Sequence, residues 1–316
     1  MSRTKPILVL CANPALDEEW QVDGVRPEEK NHVLRQRRWA GGKGVNVARW
    51  LEYLGCPARL IVLAGGEPGT TLVRLLRKEG LRFRCIPVRG ATRINVLMTD
   101  LQGRQWRFNQ DGPRLSAEEW RGAEQQVLEE LERSALLVLS GSLPPGVPPS
   151  GYGPLIRQAR QAGVRVLLDC DGPVLARAVP FGPFLVKPNE AELAAWAGAA
   201  LRGVKEVAQA AERMSELTGG WVLVSRGGRP GFLVHANQRV RLTLSPPAVR
   251  PRNRLGAGDA LLAGVGWAIL RGLPPEGWLR TGLAMGALAT QCPAGQLPLR
   301  RCLPALTRAR AGSSRD

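Results

Sequence analysis

The feature that most constrains the fold is an alternation of short apolar runs with amphipathic helical patterns. The apolar runs occur at 7–11, 60–63, 135–139, 164–168, 184–186 and 221–224. Helical patterns occur at 44–54, 70–79, 117–133, 154–162, 190–197, 205–217, 257–270 and 278–290. Strands that alternate with helices form a parallel sheet covered by helices on both faces, so the pattern predicts an α/β fold.

Two stretches interrupt this alternation. Short strand-like runs within 18–39 and 82–109 have no helix between them, and they predict a small separate β-sheet. No repeat or low-complexity linker divides the chain, so we expect one domain over residues 1–306. Residues 307–316 are basic and include Gly-Ser-Ser, and we expect this tail to fray.

The charge of the chain admits three interpretations. The formal net charge is +17, and most of the cations are Arg. This excess can reflect an arginine-rich surface, attraction of small anionic substrates, or neutralisation of nucleic-acid phosphates. Because the Arg residues are spread along the chain without a nucleic-acid-binding motif, we rank surface bias first and nucleic acid last.

Composition also indicates the cellular compartment in which the protein is expected. The 6 Cys and 2 His are scattered without metal-ligand spacing, which is typical of a protein in a reducing cytosol. No apolar run approaches the ~18 residues of a membrane span. The first eleven residues resemble a strand more than a signal peptide. We therefore expect a cytoplasmic protein without a membrane partner.

A glycine-spaced turn opens a helical pattern at Leu255-Gly256-Ala257-Gly258-Asp259. An anion can approach the bare backbone amides of residues 256–258, which lie at the positive end of the helix dipole. Asp259 can take a proton from a hydroxyl while these amides hold the charge that develops on the attacked group. For an isolated motif, the alternative is an Asp that only stabilises a helix terminus.

A second glycine-rich stretch, Gly41-Gly42-Lys43-Gly44-Val45-Asn46, also opens a helical pattern. Bare glycine backbone lets a sugar ring lie flat against the turn, and Asn46 can donate to and accept from a hydroxyl. Lys43 belongs to this site or is a solvated lysine. The stretch is not a P-loop, because Arg37 occupies the first glycine position and Gly44 follows the lysine. A nucleotide must therefore be bound elsewhere.

Together these stretches resemble the two signature motifs of the PfkB family of carbohydrate kinases. The resemblance extends from Asn13 to about Gln291. Asn-Pro-x-x-Asp at 13–17, Thr-Arg-Ile-Asn at 92–95 and Ser-Gly-Ser-Leu-Pro at 140–144 are most similar to the phosphofructokinase and tagatose-6-phosphate kinase branch. The resemblance implies a ribokinase-like three-layer α/β/α fold with a small β-sheet lid, and a homodimer formed through that lid. It also implies phosphorylation of a hexose phosphate by ATP with Mg²⁺.

The resemblance assigns roles to residues that would bind the sugar phosphate. Asp17 is expected to accept hydrogen bonds from sugar hydroxyls, alongside Gly41, Gly42, Lys43 and Asn46. Arg93 is expected to bind the substrate phosphate through its planar guanidinium, with Lys30 on the lid near the same phosphate and Ser142 at a strand end where ligands bind. The alternatives are a loop-capping Asp17 and an exposed strand Arg93.

The resemblance also assigns a nucleotide site. Its residues are Lys187, Asn189, Ser225, Gly227 and Gly228. Asn189 and Glu192 are expected to organise Mg²⁺, although their N-x-x-E spacing fits a helix capping box equally well.

Two residues depart from the family pattern. Arg254 stands where Ser or Thr is usual, and Pro230 stands where Gly is usual. Three other functions remain open: a kinase for an unphosphorylated sugar or nucleoside, a non-catalytic regulatory protein derived from a kinase, and a nucleic-acid binder.

Overall fold

The computed structural model describes residues 5–298, so Cys302 and the predicted tail at 307–316 lie outside the described residues. The strands in chain order are β1 (Ile7–Cys11), β2 (Ala15–Val22), β3 (Val33–Gly41), β4 (Ala58–Ala64), β5 (Phe83–Pro87), β6 (Arg93–Asp100), β7 (Gln105–Phe108), β8 (Leu136–Ser140), β9 (Arg165–Asp169), β10 (Leu185–Val186), β11 (Trp221–Val224), β12 (Gly231–His235) and β13 (Val240–Leu244). The α-helices are α1 (Lys43–Tyr53), α2 (Gly66–Lys78), α3 (Ala117–Leu131), α4 (Tyr152–Gln161), α5 (Gly172–Ala178), α6 (Glu190–Ala197), α7 (Val204–Thr218), α8 (Ala257–Leu270) and α9 (Pro275–Thr290).

The main sheet contains nine strands in the order β13-β12-β11-β10-β9-β8-β1-β4-β5. The seven strands from β11 to β5 in this order pair in parallel, whereas β12 and β13 pair antiparallel at the other edge of the sheet. The sheet order reverses at β1, because β4 pairs on one side of it and β8 on the other. Ligands bind at such reversals in open α/β sheets, outside the carboxyl ends of the strands.

Two apolar cores lie on opposite faces of this sheet. In β1, Ile7 and Val9 pack with residues of α1, α2, α8 and α9, while Leu8 and Leu10 pack with residues of α3 to α7. The central strands therefore bury both of their faces, which explains why they read as continuous apolar runs rather than alternating ones. The predicted three-layer α/β fold is confirmed.

The second sheet contains four strands in the order β3-β2-β6-β7, and we call it the small sheet. Strand β2 pairs antiparallel to β3 and parallel to β6. The small sheet contacts the main body where the indole of Trp39 packs against Gly295 and where Arg37 Nη2 donates to the carbonyl of Ala294 at 2.7 Å.

The sequence pattern predicted one strand in the small sheet that belongs to the main sheet. The run at 83–87 pairs in parallel with β4 at the edge of the main sheet instead. The reason is that α2 supplies the helical crossover a parallel pair requires. This helix begins at Gly66, four residues before the sequence pattern indicated. The other differences concern element ends and the short helix α5, which the pattern did not show.

Within residues 5–298, no helix is both long enough and apolar enough to cross a membrane.

Candidate active site

A cavity of about 1260 Å³ lies between the small sheet and the carboxyl ends of the main strands. Its lining includes sixteen of the predicted site residues: Asp17, Gly42, Lys43, Asn46, Arg93, Ser142, Lys187, Asn189, Glu192, Ser225, Gly227, Gly228, Gly256, Ala257, Gly258 and Asp259. A single small ligand usually occupies ~300–1,000 Å³. The volume therefore suits two substrates bound side by side.

Asp259 lies in the first turn of α8 and is only 6% exposed. Its Oδ2 accepts a hydrogen bond from Asn46 Nδ2 at 2.8 Å. Burial raises the pKa of Asp259 to about 6 and the nearby Asp169 carboxylate adds to this, while the Asn46 bond and two lysines oppose it. A carboxylate that titrates near neutrality is suited to accept a proton from a hydroxyl.

The turn before Asp259 presents backbone amides to the cavity. Gly256 is the N-cap of α8 with a left-handed φ of 75°, a conformation that glycine adopts without strain. The first intrahelical bond runs from the Ala260 N–H to the Gly256 carbonyl, so the N–H groups before residue 260 have no acceptor within the helix. The side chain of Asn253 bonds both the N–H and the carbonyl of Leu255 and fixes the approach to this turn.

A buried charge cluster lies beside the turn. Asp169 is 2% exposed and forms ion pairs with Lys43 Nζ at 3.3 Å and Lys187 Nζ at 3.0 Å. Burial alone would raise the pKa of Asp169, but the two ammonium groups lower it overall. An ideal Cβ on Gly258 would lie 3.4 Å from Lys187 Nζ, so this cation adjoins the amides of the turn. The lysines thus supply positive charge where an anion would bind.

Lys43 is held by several carboxylates at once. Besides Asp169, its Nζ lies 3.7 Å from Glu192 Oε1 and 3.8 Å from Asp171 Oδ2. Burial would lower the pKa of Lys43, but these carboxylates and Asp259 raise it instead. Lys43 is therefore a charged member of the site rather than a solvated surface lysine.

Asp17 lies in β2, facing the glycine turn. Its Oδ1 accepts from Asn95 Nδ2 at 2.9 Å, and an ideal Cβ on Gly41 would lie 2.1 Å from its Oδ2. Burial raises the pKa of Asp17 to about 6, against the lowering effects of Asn95, Arg93 and Arg49. Gly41 leaves the space that the carboxylate occupies, and a side chain there would displace it. Gly42, with a φ of 105°, makes the next turn close to Cys11.

Arg93 is anchored by backbone carbonyls rather than by a carboxylate. Its guanidinium donates to the carbonyls of Asn13 at 2.9 Å, Gln110 at 3.1 Å and Pro14 at 3.4 Å. Within residues 5–298, no acidic side chain lies within 4.0 Å of its charged nitrogens. The positive charge of Arg93 is therefore available to an anion that enters the cavity.

Ser142 lies at the carboxyl end of β8, near Arg93. Its Oγ accepts from Asn13 Nδ2 at 3.1 Å. Both Arg93 and Ser142 also line an adjoining cavity of about 450 Å³. Lys30 is exposed in the loop between β2 and β3 and does not line either cavity.

Asn189 and Glu192 form a capping box at the start of α6. Asn189 Oδ1 accepts from the Glu192 N–H at 2.9 Å, and Glu192 Oε2 accepts from the Asn189 N–H at 2.8 Å. Glu192 Oε1 is the oxygen that faces Lys43. No group of three or more His, Cys, Asp or Glu side chains in the described part of the chain could hold a metal ion by itself.

The loop after β11 forms the part of the lining next to Asn189. Ser225 makes a parallel bridge with Asn189, and Gly227 turns with a φ of 62°. Pro230 has no left-handed φ, so the loop does not require glycine there, and its carbonyl accepts from Arg226. Arg254 is exposed and lines the cavity, where it adds charge without blocking the turn before Asp259.

The sequence analysis assigned no role to four residues that shape the site: Arg49 and Asp169, and also Asn13 and Asn95, which stand in the motifs at 13–17 and 92–95. One signal was available for Asp169, because it directly follows the predicted strand 164–168 and the carboxyl ends of parallel strands converge on the ligand site. The others act through contacts between distant segments, which no local pattern shows.

Comparison with known proteins identifies the protein family to which this chain belongs. The model of the pfkB family of carbohydrate kinases matches residues 13–302, most of the chain. The chain therefore belongs to the pfkB family of carbohydrate kinases, and the predicted resemblance is confirmed.

Particular relatives narrow the comparison. The chain is 34% identical to the ATP-dependent 6-phosphofructokinase isozyme 2 of Escherichia coli over 287 residues, which cover 90% of this chain and 92% of the relative. It is 36% identical to the 1-phosphofructokinase of Rhodobacter capsulatus over 310 residues, covering 96% of each chain.

Solved structures agree with these relatives. The phosphofructokinase-2 of Escherichia coli in complex with substrates and products superposes with a TM-score of 0.89 at 32% identity, covering 96% of this chain and 98% of that chain. The ribokinase of Arabidopsis thaliana superposes with a TM-score of 0.78 at 22% identity, covering 97% and 99%, and it shares the fold.

Proposed function

We propose that this protein transfers the γ-phosphoryl group of ATP to a hydroxyl of a fructose phosphate. The observation that carries the proposal is that Asp259, the amides of the turn before it and Arg93 all line one cavity. A base, an anion-binding turn and a cation without an acidic partner would then surround the same space. The relatives named phosphofructokinases support the choice of substrate.

The transfer is a direct in-line displacement. The acceptor hydroxyl gives its proton to Asp259 as its oxygen forms a bond to the γ-phosphorus. The bond from that phosphorus to the bridging oxygen of ADP breaks, and ADP leaves with the electron pair. The amides of Gly256, Ala257 and Gly258, with Lys43 and Lys187 beside them, stabilise the charge on the transferring group.

Nucleotide binding belongs to the part of the cavity lined by Ser225, Gly227 and Gly228. Arg254 lies in the same lining and has an exposed guanidinium for the polyphosphate. Lys187 connects this region to the turn before Asp259. Asn189 holds the start of α6 in place through the capping box.

Mg²⁺ fits this site only together with nucleotide phosphates. Glu192 offers Oε1, while its other carboxylate oxygen and Asn189 Oδ1 are engaged in the capping box. Mg²⁺ needs about six oxygen ligands and often binds through one or two carboxylates, phosphates and waters. Glu192 would hold the ion, which would supply charge neutralisation of the β- and γ-phosphates.

The fructose-phosphate end is formed by the small sheet and the glycine turn. Asp17 accepts hydrogen bonds from sugar hydroxyls beside Gly41 and Gly42, and Asn46 contributes its remaining amide hydrogen. Arg93 and Ser142 bind the phosphate that the sugar already carries. A kinase for an unphosphorylated sugar is disfavoured, because Arg93 would face neutral hydroxyls without an anionic partner.

The small sheet also suits a contact between two copies of this protein, each with one domain expected over residues 1–306. Val33, Leu34 and Phe108 are exposed there by 47%, 56% and 54%. A homodimer through this sheet would cover these side chains and bring Lys30 of one copy toward its partner. Sedimentation of the protein, compared with a Leu34→Lys variant, tests this contact: a monomeric wild-type protein would exclude it.

A coupled assay of ADP release tests the activity. The panel is fructose 6-phosphate, fructose 1-phosphate, tagatose 6-phosphate, free fructose and ribose. Turnover with at least one fructose phosphate, faster than with either free sugar, is expected. Preference for a free sugar would overturn the proposed substrate class, and absence of turnover on the whole panel would overturn the activity.

A further inference from the structure

Arg49 is a buried arginine close to the site that the mechanism above leaves unused. It is 6% exposed within α1. Glu79, at the end of α2, accepts from Arg49 Nε at 2.7 Å and from Nη2 at 3.0 Å. This two-point pair fixes the plane of the guanidinium.

The remaining donors of Arg49 point toward the cavity side of the helix. Nη2 donates to the carbonyl of Ala40 at 2.6 Å, and Nη1 donates to Asn46 Oδ1 at 2.7 Å. Asn46 lies three residues before Arg49 in α1, a spacing that brings helix side chains together.

This contact decides which way the amide of Asn46 faces. An amide can present either its oxygen or its NH₂ group to a neighbour, whereas a guanidinium can only donate. The oxygen of Asn46 must therefore face Arg49, and its NH₂ group must face Asp259. The reversed amide would place an acceptor against the Asp259 carboxylate and a donor against the Arg49 cation.

We infer that Arg49, held by Glu79, is a positioning residue that orients the Asn46 amide and thereby holds the Asp259 carboxylate for catalysis. The inference rests on the proposed function, because it concerns the base of that reaction. It adds a chain of contacts, Glu79–Arg49–Asn46–Asp259, which extends from the surface of α2 to the reacting hydroxyl.

The other groups that act on Asp259 come from different elements. Asp169 ends β9, Lys43 begins α1 and Lys187 follows β10. Burial raises the pKa of the Cys11 thiol at the end of β1, and the Asp259 carboxylate adds to this rise. The hydrogen bond from Asn46 lowers the pKa of Asp259, against the larger raising effect of burial. Loss of the oriented amide should therefore raise this pKa further.

The test uses four proteins: wild type, Arg49→Met/Glu79→Leu, Asn46→Ala, and the triple variant. Arg49→Met alone would leave the Glu79 carboxylate without its cationic partner and risk unfolding. Replacing both partners of a buried ion pair with apolar residues is often tolerated. Arg59→Met/Glu130→Leu is the matched control, because it removes a surface ion pair of the same type.

The readouts are the ¹³C NMR titration of the Asp259 carboxyl, assigned with Asp259→Asn, and the pH dependence of kcat. Deleting the Arg49–Glu79 pair should raise the pKa of Asp259 and the acid limb of kcat by about 0.5–1 pH unit, the equivalent of one hydrogen bond. In the Asn46→Ala background the same deletion should cause no further shift. The control pair should leave both readouts unchanged.

Two results would overturn the inference. An equal shift with and without Asn46 would mean that Arg49 acts through its charge, and no shift in either background would mean that it only supports the fold. Because the NMR titration needs no substrate, it judges the inference even if the wild-type protein phosphorylates no sugar phosphate, an outcome that would count against the proposed function alone.

Discussion

At the scale of single residues, the raised pKa of Asp259 links its proposed role as a base to the stability of the fold. Its pKa of about 6 exceeds the ordinary value of 3.8, so the folded protein binds this proton more tightly than the unfolded chain does. The carboxylate therefore costs folding free energy above pH 6, and this cost disappears below about pH 4, where both states are protonated.

Asp259→Asn should show both effects. We expect kcat to fall by about 10²–10⁴ because the base is lost. We expect the free energy of unfolding at pH 8 to rise by on the order of 3 kcal/mol, and this gain to vanish as the pH falls from 6 to 4. Urea titrations across this pH range measure the free energy of unfolding, and steady-state kinetics measure kcat. Asp23→Asn, at an exposed carboxylate, is the control. Turnover of Asp259→Asn within a few-fold of wild type would show that Asp259 is only a helix-terminus residue.

Arg93→Ala tests recognition of the substrate phosphate. A charged hydrogen bond of about 2–3 kcal/mol corresponds to a rise in KM for the sugar phosphate of roughly thirtyfold or more. The KM for ATP should change little, and Arg93→Lys should recover only part, because a point charge does not replace the planar fork.

The matching kinetic control is Arg84→Ala, at an exposed arginine of β5. Equal losses of kcat/KM on phosphorylated and free sugars would mean that Arg93 supports the small sheet through its bonds to three carbonyls.

Sequence reasoning at this scale reached the residues of glycine-rich turns and strand ends but not their partners. Asp259 and Gly41 lie in local patterns whose geometry the spacing dictates. Asp169 gains its importance only because Lys43 and Lys187, more than a hundred and about twenty residues away, fold against it. Arg49 looked like an ordinary helix residue because its contacts to Glu79 and Ala40 depend on the packing of α1 against α2 and β3.

At the scale of elements, the capping box of α6 gives Glu192 two possible roles. Glu192→Gln keeps an oxygen for the Asn189 N–H but removes the negative charge that Mg²⁺ would need. We expect only a small fall in the melting temperature, because Lys43 loses one carboxylate but keeps its ion pair with Asp169. We expect the half-maximal rate to require an Mg²⁺ concentration about 10-fold higher or more. The measurement is a Mg²⁺ titration of kcat together with thermal unfolding.

The structure offers a matched control in α3, where Ser116 and Glu119 form a second capping box. Glu119→Gln should alter neither the Mg²⁺ requirement nor the melting temperature. An unchanged Mg²⁺ requirement in Glu192→Gln would leave Glu192 with the capping role alone.

Sequence patterns predicted most elements because the buried strands are apolar throughout and the helices are amphipathic. Besides the short helix α5, the exception is β5. Its residues are only partly buried at the sheet edge, so their pattern resembles that of the strands in the small sheet. Which sheet a short edge strand joins depends on the crossover before it, and the start of α2 at Gly65-Gly66 gave little helical signal.

At the scale of the whole molecule, the formal net charge is +17, and within residues 5–298 Arg49, Lys187 and Arg226 are the only buried Lys or Arg side chains. We expect duplex DNA to bind weakly, with affinity that falls steeply as salt rises, since such binding comes from counterion release. Fluorescence anisotropy with two unrelated duplexes between 50 and 200 mM salt measures this. Sequence-selective binding that persists at physiological salt would make nucleic acid a genuine partner.

The contact between Trp39 and Gly295 is one of the places where the small sheet meets the main body beside the active-site cavity. Gly295 has a φ of 67°, and an ideal Cβ there would lie 2.5 Å from the indole ring. The absence of a side chain at Gly295 thus lets the small sheet approach the main body closely at this contact. We therefore expect a larger residue at position 295 to hold the entrance wider, admit water to the phosphoryl group and favour hydrolysis of ATP over its transfer to sugar.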